Sequence, residues 1–104
     1  MVIEEKLARA RTEYQEKLHG RLQELAGLLR KARDDAAEHG PLHAAQRLAH
    51  RICGTAGTFG FSGVSDALAR VDMLLLELLA GRAEPVPAFW TQVEQSLRQA
   101  INDC

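Results

Sequence analysis

The chain is poor in cysteine and close to electrically neutral, and each shortage removes a class of function. Cys53 and Cys104 are the two cysteines in 104 residues, and they form no C-x-x-C pair. A disulfide scaffold is therefore excluded, and two lone thiols fit a reducing compartment. The formal net charge is -1, with Lys and Arg interleaved among Glu and Asp. No global field draws nucleic acid or an anionic membrane, so neither is an expected partner. The most apolar stretch, Met73 to Ala80, is far short of the roughly 20 residues a membrane helix needs. The opening Met1-Val2-Ile3-Glu4-Glu5 has no basic segment leading into an apolar run. Cytoplasm is the expected localisation. Strand-like alternation, internal repeats, low-complexity tracts and linkers are all missing too, and 104 residues suit one compact domain spanning 1–104.

What is present is helical periodicity. Leu7, Tyr14, Leu18, Leu22, Leu25, Leu29, Ala32 and Ala36 recur at three- and four-residue steps, or multiples of them, with Glu, Lys, Arg and Gln between them. The spacing predicts a long helix, or two abutting ones, over 3–38. His39-Gly40-Pro41 is punctuation, since Gly suits the residue just past a helix and Pro the first turn of the next. A second helix is expected over 41–58. Phe59-Gly60-Phe61-Ser62-Gly63 reads as a short connection, with Ser62 or Ser65 as the N-cap of a third helix over 64–80. Gly81 closes that helix, and Glu84-Pro85-Val86-Pro87 is a further loop. Phe89, Trp90, Val93, Leu97, Ala100 and Ile101 mark a fourth helix. The expected fold is all-α, an antiparallel four-helix bundle in which the first fifteen or so residues either extend the first helix or dimerise. A monomer is the expected unit.

The stretch His50-Arg51-Ile52-Cys53-Gly54-Thr55-Ala56-Gly57 departs from ordinary helix chemistry. Each glycine inside a helix costs about 1 kcal/mol relative to alanine. At about 100° per residue, Ala45, Leu48, Ala49, Ile52, Ala56 and Phe59 share one side of the second helix, the core stripe. His50 lies about 140° from Ala45, with Gly54 about 40° and Gly57 about 20° from His50. His43 and Gln46 share this outer face. The helix thus presents an imidazole flanked by bare backbone, where another protein's backbone or a phosphate can approach closely. Both glycines fall off the core stripe, which argues against a role in helix packing. A neutral imidazole is a good nucleophile near neutral pH, and a ring nitrogen can take a phosphoryl group from an acyl phosphate as a phosphoramidate. No acidic cluster converges near His50, so this domain binds no cofactor of its own, and Mg²⁺ is expected with the partner. His39 and His43 stand i, i+4, but Gly40-Pro41 interrupts the helix between them and no further ligand accompanies them, so no metal site is expected.

The run Ala49-His50-Arg51-Ile52-Cys53-Gly54-Thr55-Ala56-Gly57-Thr58-Phe59-Gly60-Phe61 resembles the histidine phosphotransfer (Hpt) domains, including the phosphotransfer domain of chemotaxis histidine kinases. Their pattern is roughly Ala-His-x-Leu/Ile-Lys-Gly-x-Ala-x-x-Phe/Leu-Gly. The resemblance is specific over about a dozen residues. It implies a phosphocarrier in a two-component phosphorelay, a signal-transduction phosphoprotein rather than an autonomous enzyme. His50 would be the phosphoacceptor, and a response-regulator receiver domain, a hybrid histidine kinase, or both would be the partners. The docking face would comprise His43, Gln46, Arg47, Arg51, Cys53, Gly54 and Gly57. Cys53 departs from the family, which often carries Lys three residues after the histidine. Arg47, about 60° from His50 on the wheel, is the substitute cation, with Arg51 further round at about 100°. The resemblance also places Asp72 where the chemotaxis kinases carry a glutamate that orients the imidazole. The absent lysine supports the alternative, a non-catalytic helical adaptor that binds a receiver or kinase without transfer.

Overall fold

The computed structural model describes residues 2–35 and 39–104. Four helices follow in order: α1 (Val2–Asp34), α2 (His39–Thr58), α3 (Ser62–Leu79) and α4 (Pro87–Asn102). Among the described residues there is no strand. The helices pack as a bundle; of the pairs in close contact, α2 and α3 share the most and α1 and α4 the least. Short loops make sequential neighbours antiparallel. No helix among the described residues is long and apolar enough to cross a membrane.

The core is built from the stripes that periodicity marks. Tyr14, Leu18, Leu22, Leu25, Leu29 and Ala32 are buried on α1, and Leu42, Ala45, Leu48, Ala49, Ile52 and Ala56 on α2. Val64, Ala67, Leu68, Val71 and Leu75 face them from α3, and Phe89, Trp90, Val93, Leu97 and Ala100 from α4. Leu7 continues the α1 stripe but is exposed, because no other helix reaches that far. Ala36 lies outside the described residues.

Two glycines end helices by the same device. Gly60 and Gly81 take φ +85 and +76, the left-handed region that glycine enters without a side-chain penalty. The residue after each donates back five positions, Phe61 to Ala56 and Arg82 to Glu77, each at 2.9 Å. This closes the last turn of α2 and of α3. Phe61 is thereby turned inward and buried.

The boundaries differ from expectation in three places. α1 ends at Asp34, short of 38. α2 begins at His39, before the proline, since a helix's first turn needs no backbone donor from Pro41. His39 and His43 therefore do share one helix, yet no group of three or more metal-ligand side chains gathers among the described residues. α3 begins at Ser62, and Phe61 is its N-cap with no side-chain capping bond. Neither serine caps the helix, and Ser65 is instead committed to α2.

Candidate functional site

His50 stands on α2 between two unlike surroundings. Its side chain is 72% exposed. On one flank, α3 crosses closely enough for side chains to interlock. His50 Nδ1 lies 2.9 Å from Asp72 Oδ2, and Gln46 Nε2 donates to Asp72 Oδ1 at 2.8 Å. One turn on, Ser65 Oγ donates to the Cys53 carbonyl at 2.7 Å. A Cβ added to Gly57 would meet Ser65 Oγ at 3.2 Å. His50 faces Asp72 and Gly57 faces Ser65, so α2 advances seven residues while α3 retreats seven, as an antiparallel pair in constant register must.

Asp72 is hydrogen-bonded to the imidazole. Its side chain is only 14% exposed, and both carboxyl oxygens are engaged. A carboxylate only accepts hydrogen bonds, so in the neutral imidazole Nδ1 is the ring nitrogen that bears hydrogen and Nε2 is the one with the lone pair. The amide of Gln46 in turn holds the carboxylate in place.

The other flank, towards α1, is open. A groove of about 690 Å³ is lined by Arg21, Glu24, Leu48, His50, Arg51, Gly54, Thr55 and Thr58. Nothing stands within 4 Å of a Cβ built on Gly54, so this glycine leaves a bare surface beside the imidazole. The hydroxyls of Thr55 and Thr58 return to the backbone carbonyls of Arg51 and Gly54. No ion pair among the described residues engages Arg21, Arg47 or Arg51.

Several expectations change here. Gly57 is exposed, yet it also serves close packing against α3; a wheel drawn for one helix does not show the neighbour pressing on its edge. Cys53 is half-buried on the α3 flank, its Sγ 3.7 Å from Ser65 Oγ, which separates it from the open groove. Arg51 lines that groove, whereas His43 and Arg47 are exposed but do not line it. Arg21 and Glu24 escape a sequence reading, because α1 carries no motif and only its register against α2 brings them beside His50.

The family model described as Hpt domain matches residues 9–103, nearly the whole chain. No curated protein matches it.

Proposed function

The chain belongs to the Hpt domain family, whose members carry phosphoryl groups between kinases and receiver domains in phosphorelays, and we propose that His50 is the residue that does so here. The observation that carries this reading is the bond between His50 Nδ1 and the shielded Asp72 carboxylate, beside a bare Gly54. It leaves one ring nitrogen, Nε2, with a free lone pair on an exposed side chain.

The step is an exchange between two energy-rich bonds. The Nε2 lone pair attacks the phosphorus of an aspartyl phosphate on the receiver domain. A P–N bond forms while the P–O bond to the aspartyl carboxyl breaks, and the carboxylate departs with the bonding pair. The imidazole gains positive charge as the bond forms, and the Nδ1–H to Asp72 contact stabilises that charge. Reversal with a second receiver domain, or entry from a kinase, completes the relay. Arg51 and Arg21, on the open side, are the cations placed to attract the phosphoryl oxygens, in place of the missing lysine at Cys53. Mg²⁺ accompanying the partner would supply further charge neutralisation. The setting is the cytoplasm, where two free thiols persist.

Incubation with a phosphorylated receiver domain tests the reading. The chain should acquire phosphate that is labile in acid and stable in base. His50→Gln should acquire none while keeping its helical circular dichroism. Equal labelling of both proteins would refute the assignment and leave an adaptor role.

A further inference from the structure

α1 is longer than the bundle it belongs to. At about 1.5 Å per residue its 33 residues span about 50 Å, which accounts for the 52 Å long axis of the molecule. α2, with 20 residues, covers about 30 Å. The N-terminal-most α1 side chain with an aromatic or hydrogen-bonding contact to the rest of the bundle is Arg11, whose guanidinium lies 4.8 Å above the Phe61 ring. Tyr14 follows, stacked on Phe59 at 4.4 Å. Before Arg11 the helix runs on with its apolar stripe uncovered: Ile3 is 72% and Leu7 65% exposed. Ile3, Leu7, Ala10 and Tyr14 continue the core stripe at steps of four, three and four, the spacing of a coiled-coil seam.

We propose that residues 2–14 form a self-association surface, pairing antiparallel with the same segment of a second copy. The charges beside the seam select both the occupant and its direction. Glu4 and Arg11 flank one edge of the stripe, roughly 70–90° from its centre, and Lys6 and Glu13 flank the other by similar angles. Along one edge the order is acid then base, and along the other base then acid. An antiparallel copy layers Leu7 against Ala10 and Ile3 against the Tyr14 end of the neighbouring bundle. The same alignment sets Glu4 against Arg11 on one edge and Lys6 against Glu13 on the other, each pair formed twice by symmetry. A parallel copy would instead bring Lys6 against Arg11, two cations. Edge charges of this kind decide partner and orientation in coiled coils. No ion pair among the described residues engages any of these four side chains. Arg11 is already steadied by Phe61, so its charge is held at the bundle end where Glu4 of the second copy arrives. The pairing leaves His50 uninvolved and does not depend on the phosphocarrier reading.

The seam is short, so the association is a weak one, of the kind formed by interfaces under about 1,200 Å². Sedimentation velocity of the full chain up to about 1 mM tests it. The expected result is a concentration-dependent dimer. Leu7→Glu and, separately, Arg11→Glu should each weaken it at least about tenfold. The double exchange Glu4→Arg with Arg11→Glu should restore it, because it swaps the partners on one edge without changing their sum. A chain that stays monomeric overturns the proposal, as does a dimer indifferent to Leu7→Glu. Failure of the double exchange to rescue Arg11→Glu overturns the antiparallel arrangement.

Discussion

The two flanks of His50 differ, and the proposed carrier role rests on that difference. Towards α3 the surface is closed: Gln46 and His50 bond Asp72, Ser65 bonds the Cys53 carbonyl, and Gly57 packs against Ser65. Towards α1 it is open, with Gly54 bare and Arg21 and Arg51 free of ion pairs among the described residues. In the proposed role, one flank orients the imidazole and the other leaves room for a receiver domain. The two glycines show the contrast most simply: Gly57 lets a helix of the same chain come close, and Gly54 stands against open space.

Filling each side in turn separates these roles. The largest effect is expected from Gly54→Leu. Its side chain enters open space, so the thermal midpoint should hold or rise, while transfer from a phosphorylated receiver domain should fall about a hundredfold, roughly 2.7 kcal/mol, by steric exclusion from the docking face. Stopped-flow or gel-based transfer kinetics beside a thermal melt would read both. A Gly54→Leu protein that transfers normally would mean that docking avoids the open flank.

Asp72→Ala attacks the closed flank. Losing a hydrogen bond to a charged group costs about 1.5 kcal/mol or more, so transfer should slow about tenfold while binding of the receiver domain changes little. Gln46→Leu, which only releases Asp72, should produce the same defect in weaker form. Should Asp72→Ala weaken binding and leave the rate of the bound complex intact, the flanks would have exchanged roles.

The cations come next. Arg51→Gln and Arg21→Gln should each slow transfer a few-fold, by roughly the 1 kcal/mol of an exposed charge contact, and more steeply at low ionic strength. Arg47→Gln, outside the groove, should do less. A larger loss from Arg47 than from Arg51 would move the phosphoryl group's approach one turn towards the start of α2.

Stability gives the smallest signal and the cleanest contrast. Replacing a helical glycine by alanine gains up to about 1 kcal/mol where space allows. Gly54→Ala should show most of that gain in a urea melt. Gly57→Ala should show little or none, because its Cβ presses at 3.2 Å on a Ser65 hydroxyl already tied to the Cys53 carbonyl. Equal gains at both positions would mean that α3 yields easily and that the closed flank is looser than it looks.

Much of this arrangement was legible in the sequence, and what was not shares a physical reason. The four helices, the exposure of His50 and the helix-ending glycine at Gly81 follow from periodicity and backbone chemistry, which are properties of one segment at a time. Asp72 was placed by resemblance and lies in contact with His50. Arg21, the tight side of Gly57 and the commitment of Ser65 to the Cys53 carbonyl all depend on how two helices are registered. A wheel drawn for α2 knows its own angles but not which neighbour leans on which edge. The boundaries slipped for a related reason: Pro41 marks a first turn, not a first residue, and Phe61 opens α3 because the Gly60 turn delivers it there, not because it caps well.

The central claim is that Asp72 holds Nδ1 and leaves Nε2 of His50 to carry the phosphoryl group. Heteronuclear NMR correlating phosphorus-31 with nitrogen-15 on freshly labelled protein reads this directly. The expected spectrum shows phosphorus bonded to Nε2 of His50, with Nδ1 protonated. Phosphorus on Nδ1, or on a histidine other than His50, would contradict the account.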